Sequence, residues 1–245
     1  MTLLKTYDVA YFKCEDCNSL ETESPYWLVE AYQSSLSNLD TGAAQRNLSN
    51  LAVCFSVAKV VGAKNVVDIG GGDGLLCRLL RDYGINGFVK DKYAKPLYAQ
   101  GYSEPDFAVP DLVTAFEVFE HFENPMRDID EIFENRPKVV FISTGTYKNQ
   151  MPGWWYFSVD SGQHLFFYSK EAFELIAHKY GYACILRGGY AVFVKNGALS
   201  GPRMALLRLV LLNKVARLMR AVIAVLPARG VQKDYQQQAA KVAAR

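Results

Sequence analysis

The run EVFEH, Glu117 to His121, sets two carboxylates and an imidazole at spacings i, i+3 and i+4. If the chain turns helically there, Glu117, Glu120 and His121 point to one side. Such a face can do one of two jobs. An imidazole that titrates near neutrality can take a proton from an acceptor hydroxyl as a group is transferred to it. Alternatively, the side chains can hold a divalent ion, with oxygen ligands favouring magnesium or manganese and imidazole tolerated by manganese or zinc. A metal would want a further ligand, and His164 in GQHLFFYS, Gly162 to Ser169, is the candidate. It precedes the helix start SKEAF and therefore sits on a loop over the pocket mouth, where acceptor specificity resides. His121 and His164 also have structural readings, as a helix-start residue and as a loop residue bonded to backbone. His178 in AFELIAHKYGY reads as structural.

The second stretch that bears on chemistry is VVDIGGGDGLLCRLLRDYG, Val66 to Gly84. A β-branched run meets glycines and then an amphipathic helical pattern, the arrangement of a strand-to-helix turn that approaches a ligand. Gly70, Gly71, Gly72 and Gly74 occupy that turn, where a side chain would keep a ligand away from the backbone. The dinucleotide spacing G-x-G-x-x-G fails, because the third glycine would fall on Leu75 or Cys77, and no Gly-Lys-Ser or Gly-Lys-Thr of a P-loop follows.

With the acidic residue ahead of it, the series Asp68, Gly70, Gly72, Gly74 resembles the first motif of class I S-adenosylmethionine-dependent methyltransferases. Two further matches follow in order. Asp91 ends the second strand, where a carboxylate can accept from both ribose hydroxyls. DLVTAFEVFEH, Asp111 to His121, resembles the family's fourth-strand motif, with Phe116 and Glu117 near the adenine and the methionine moiety. The resemblance spans about Asn47 to Lys195 and points to the bacterial methyltransferase-23-like and sugar-methyltransferase group.

What the resemblance implies is specific. S-adenosylmethionine is the cofactor, held by Asp68, Gly70, Gly71, Gly72, Gly74, Asp91, Phe116 and Glu117, with His121, His164 and Glu120 as catalytic residues. The E-x-x-E-H pattern looks like that of small-RNA 2′-O-methyltransferases and quinone-biosynthesis O-methyltransferases, which implies a Mg, Mn or Zn ion on Glu117, Glu120, His121 and His164. GQHLFFYS resembles a segment of methyltransferases acting on nucleotide-linked sugars, which implies a saccharide-type hydroxyl as acceptor and a place in polysaccharide biosynthesis. The alternatives are a metal-assisted O-methyltransferase of a quinone-like or RNA substrate, and a non-catalytic S-adenosylmethionine-binding module.

The elements that position these residues follow from periodicity. Helical spacing runs from Pro25 to about Gly62, broken into two helices at Asp40, Thr41 and Gly42. From Lys64 strands and helices alternate, with a short helix around Pro96 to Gln100, and ACILRGGYAVFVK reads as a hairpin about Gly188 and Gly189. The expected fold is α/β: a Rossmann-like doubly wound, mainly parallel sheet with an antiparallel final strand pair, an N-terminal helical segment and a C-terminal amphipathic helix. The expected division is a degenerate cysteine knuckle or extended arm over 1–24, a methyltransferase domain over 25–198, and a basic amphipathic helix with a frayed tail over 199–245.

Composition narrows the partners. The 245 residues are half apolar, with a net charge of +2, which gives no global basic field for nucleic acid, and the cations of the last third sit in an apolar helix rather than among exposed aromatics. Nucleic acid is therefore disfavoured. Five scattered cysteines suggest a reducing compartment, and the start lacks a secretory pattern, so the expected location is cytoplasmic, with membrane association through the last helix as an option. Cys14 and Cys17 form half of a zinc ribbon and are expected to pack as a β-turn. Trp154, Trp155, Tyr156 and Phe157 suit an acceptor wall or, failing that, a lid docked on the core. The stretch from about Pro202 to Leu226 is expected to be one helix that packs on the domain, forms a homodimer or lies on an anionic membrane surface.

Overall fold

The computed structural model describes residues 1–32 and 41–243. Asp40, in the expected helix break, and Ala244 and Arg245, in the expected tail, lie outside the described residues.

The chain opens with two small hairpins, β1 (Thr2–Leu3) with β2 (Tyr7–Asp8) and β3 (Tyr11–Lys13) with β4 (Leu20–Thr22). Cys14 and Cys17 are free thiols in the turn between β3 and β4, where Cys14 N donates to Ser19 O at 2.8 Å and Asn18 N to Cys14 O at 3.0 Å. Helix α1 (Leu28–Ala31) follows, then α2 (Ala43–Val61), which ends on Gly62 in the left-handed region.

The alternating part then runs β5 (Asn65–Ile69), α3 (Leu75–Asp82), β6 (Asn86–Lys90), β7 (Leu112–Phe116), α4 (Pro125–Glu134) and β8 (Val139–Ser143). It closes with the short strand β9 (Phe166–Phe167), α5 (Lys170–Tyr180), β10 (Tyr182–Arg187) and β11 (Tyr190–Lys195). The central sheet has the order β10-β11-β8-β7-β5-β6. β6, β5, β7 and β8 are parallel, while β11 runs antiparallel to both neighbours. The reversal is local: Gly188 and Gly189 both have positive φ, so two residues suffice to turn the chain. β9 adds to β4, which ties the N-terminal hairpin to the loop before α5.

The sheet is covered on both faces. One face packs Leu51, Val57, Val61 and Leu80 with strand residues Val66, Leu112 and Phe141, and the other packs Phe119, Ile129, Phe133 and Phe173 with Val113, Val140 and Ile142. Helix starts follow local chemistry: Asn124 accepts from Arg127 N with Pro125 in the first turn, and Ser169 accepts from Ala172 N at 3.0 Å.

Three expectations about elements are corrected. Pro96 to Gln100 is not a helix but a series of turns, because Tyr98 N is drawn to Asp73 O at 2.9 Å rather than into a helical ladder. The expected single helix to Leu226 is two, α6 (Gly201–Val210) and α7 (Asn213–Val225), since Leu212 is extended and the bend lets both pack against α2. The expected frayed tail is helix α8 (Gly230–Ala243), anchored where Asp234 accepts from Arg81 at 2.6 and 2.7 Å. Among the described residues, no helix is long and apolar enough to cross a membrane.

Candidate active site

Parallel strands β5, β6, β7 and β8 deliver their carboxyl ends to one edge, and each site residue leaves from there. At the end of β5 the glycine turn is shaped by close contacts. A Cβ on Gly70 would lie 2.5 Å from Val118 Cγ2, and one on Gly71 would lie 2.4 Å from Asp68 Oδ2. Gly72 differs: its φ is +55° and a Cβ would meet nothing within 4 Å, so the backbone faces open space. Gly74, at φ +79°, starts α3 against Ala99. Gly72, Val89, Asp91, Ala94, Pro96 and Ser103 line a cavity of about 310 Å³ beside this turn.

Asp68 lies beneath the turn, buried, with Thr114 Oγ1 donating to its Oδ1 at 2.6 Å. Burial pushes its carboxyl up to about 7, opposed by the Thr114 bond and assisted by the charge of Asp91. Asp91 accepts from Gly72 N at 2.8 Å on one oxygen and from Tyr93 N and Ala94 N on the other. It therefore braces the glycine turn itself, beyond the ribose role expected of it. The half-buried Phe116 ring stands edge-on to Phe141 at 4.9 Å.

At the end of β7 the backbone leaves the strand through Glu117 at φ +56°, a strained conformation for a side chain of this size, and tightens into a single helical turn over Phe119–His121. The turn drives Glu120 fully into the interior. Tyr156 Oη donates to Glu120 Oε1 at 2.6 Å and lies 3.2 Å from Glu117 Oε2, while Ser143 Oγ donates to Glu117 Oε1 at 2.7 Å. Glu120 Oε2 is buried and has no hydrogen-bond partner. Burial, and then the charge of Glu120, hold the Glu117 carboxyl above the usual range.

The two imidazoles close this corner. His121 Nδ1 lies 3.0 Å from Gln163 O and 3.1 Å from Tyr32 Oη, and His164 Nδ1 lies 2.7 Å from Tyr156 O. A carbonyl only accepts, so Nδ1 is the donor in both rings and the bond to the carbonyl leaves each Nε2 uncommitted. The rings meet edge-to-face at 4.9 Å, and one ligand atom each from Glu120, His121 and His164 lie within 4.8 Å of one another. Burial, and then the neighbouring His121, lower His164 to about 4, so it is neutral near pH 7. Glu117 stands outside this trio, one hydrogen bond away through Tyr156.

The aromatic loop corrects one expectation. Tyr156 and Phe157 are buried against Leu20, Tyr147 and Phe167, so they dock as a lid, and only Trp155, 79% exposed, is free to act as a wall. Sequence reasoning also missed the part of Tyr32, Trp27 and Gln163. Trp27 Nε1 donates to Gly162 O at 2.8 Å and Gln163 Nε2 to Ala31 O at 2.7 Å, so the N-terminal segment holds the loop that carries His164. The buried indole of PYW was the available signal.

The chain belongs to the methyltransferase domain family, whose model matches residues 38–186. It is an S-adenosylmethionine-dependent methyltransferase. No curated protein matches it. Among solved structures it is similar to the methyltransferase domain of bacterial CtHen1, at 22% identity over 61% of this chain and 98% of that one, with a TM-score of 0.44. It is also similar to magnesium protoporphyrin IX methyltransferase from Synechocystis, at 13% identity, 70% and 93% coverage and a TM-score of 0.43. Human N-acetylserotonin methyltransferase gives 10% identity, 69% and 65% coverage and 0.45.

Proposed function

We propose that the protein transfers the methyl group to a hydroxyl oxygen that is oriented by a divalent cation on Glu120, His121 and His164. The observation that carries this reading is the orphaned Glu120 Oε2 beside two imidazoles whose Nδ1 atoms are already committed to carbonyls. A buried carboxylate oxygen without a partner is costly, and ligating histidines characteristically donate their other nitrogen to a carbonyl. One carboxylate and two neutral imidazoles suit manganese or zinc better than magnesium.

S-adenosylmethionine, when bound, supplies an electrophilic methyl group. Gly72 presents open backbone to it, Gly70, Gly71 and Gly74 pack the turn that shapes its site, Asp68 lies beneath that turn and Asp91 beside it, and Phe116 and Glu117 border it. The cation, when bound, supplies a Lewis acid that lowers the pKa of a coordinated hydroxyl. Tyr156 fixes the Glu120 carboxylate, and the Trp154–Phe157 lid keeps water away from it. The chain's contribution to rate is then alignment of acceptor oxygen and methyl carbon. We assign a saccharide-type acceptor, because neighbouring hydroxyls chelate a single ion and the exposed Trp155 face suits a sugar ring. The protein works in the cytoplasm on this reading.

The test is methyl transfer from radiolabelled S-adenosylmethionine to a panel of nucleotide-linked sugars, polysaccharide fragments, quinols and RNA, with manganese, zinc or chelator. Metal-dependent labelling of a saccharide supports the reading. Labelling that chelation leaves unchanged, or labelling of RNA alone, contradicts it.

A further inference from the structure

The last three helices carry a surface that methyl transfer does not use. Helices α6 and α7 bury Leu207, Val210 and Ile223 against α2. On the outer side of α7, Leu218, Ala221, Val222 and Val225 fall at i, i+3, i+4 and i+7 and are all exposed, Leu218 by 63% and Val225 by 82%. These positions form one stripe along a helix. Leu206 and Leu209 of α6, also exposed, add to the apolar surface of this helix pair.

The charge around the stripe has a single sign. Seven Lys and Arg residues and no Asp or Glu fall between Gly201 and Lys233. Among the described residues, Arg220 alone of these cations has a polar partner, on Gln45 and Ser49 of α2. The next acidic residue, Asp234, is buried and committed to Arg78 and Arg81. The other six cations, among them Arg203, Arg208, Lys214 and Arg217, are exposed.

We propose that this face docks the protein on an anionic bilayer surface, with the Leu218–Val225 stripe set among the acyl chains and the cations among the headgroups. Charge complementarity chooses the occupant. A two-fold contact with a second copy would bring two sets of cations together with no acidic residue of these helices between them. An anionic leaflet supplies opposite charge to Lys and Arg and an apolar layer to the stripe. The proposal does not depend on the identity of the methyl acceptor or on a bound metal.

Flotation of the full chain with phosphatidylcholine vesicles, with and without phosphatidylglycerol, tests it. Binding is expected only with phosphatidylglycerol present, falling at least about tenfold when salt shortens the Debye length, and is lost in the double variant Leu218→Glu, Val225→Glu. Both positions are exposed, so that variant keeps its circular dichroism and its S-adenosylmethionine affinity, which separates failure of docking from failure of the fold or of the methyl-transfer reading. Absence of binding to phosphatidylglycerol vesicles, or binding that the double variant retains, overturns the proposal. So does a dimer in sedimentation that the same variant makes monomeric and that vesicles do not compete with.

Discussion

Tyr156 Oη donates to Glu120 Oε1 at 2.6 Å and so decides which oxygen of a buried carboxylate remains available, since Oε2 has no partner. Tyr156 also sits 3.2 Å from Glu117, so one hydroxyl separates two carboxylates that would otherwise face each other. Tyr156→Phe keeps the ring against His164 and Phe167 and removes the hydroxyl's bonds to Glu120, Glu117 and Thr144. The expected outcome is about a tenfold to hundredfold loss of manganese affinity, the range typical of a lost outer-shell partner, with a lower melting temperature. Calorimetric titration of the variant with manganese checks it, and an unchanged affinity contradicts it.

The glycine turn separates stability from binding. Gly70→Ala forces a Cβ within 2.5 Å of Val118 at a positive φ, so it is expected to destabilise by more than the ~1–2 kcal/mol that left-handed backbone alone costs. Gly72→Ala meets nothing within 4 Å and is expected to cost only that backbone strain while weakening S-adenosylmethionine binding. Urea melts and calorimetry of both variants check the crossover. Equal stability losses with equal affinities would contradict it.

Helix α8 is held by a buried ion pair. Arg81 and Asp234 are 6% and 7% exposed, joined through two bonds, with the guanidinium stacked 3.5 Å from the Tyr102 ring centroid. Asp234→Ala leaves Arg81 buried without its partner, which is expected to cost about 3–5 kcal/mol. Amide exchange is expected to speed up in α8 first, and protection of α8 at the wild-type level would contradict this account.

Stability should carry a pH signature from Asp68. Its folded pKa, about 7, lies above the unfolded value of roughly 4, so the folded state binds more protons between these limits and stability from this group falls as pH rises through that window. His164, depressed to about 4, acts with the opposite sign over the lower part of it. The observable is therefore the difference between wild type and Asp68→Asn: the wild-type advantage is expected to shrink from about pH 4 to pH 7 in urea melts. A constant difference would contradict it.

Most of the fold was legible because alternation of apolar runs with amphipathic helices is a local signal. Ser169 and the pair Gly188-Gly189 marked their boundaries by residue type. The failures share a cause, which is that the deciding partner is distant in sequence. Asp234 reads as one acid in a polar tail until Arg81, across the fold, is placed against it. Leu212 reads as helix interior until α6 and α7 both have to reach α2. The site was partly legible in the same way: Glu120 and His121 were named from spacing and His164 from the segment around it, but the hydroxyl of Tyr156 was hidden within an aromatic run that suggested only surface to pack against.

The central claim is that Glu120, His121 and His164 hold one divalent cation. Titration of the metal-free protein with manganese, followed by electron paramagnetic resonance, measures it directly. The account predicts one site per chain in the wild type and its loss in Glu120→Gln, with circular dichroism retained. No stoichiometric site in the wild type, or an undiminished site in Glu120→Gln, would contradict it.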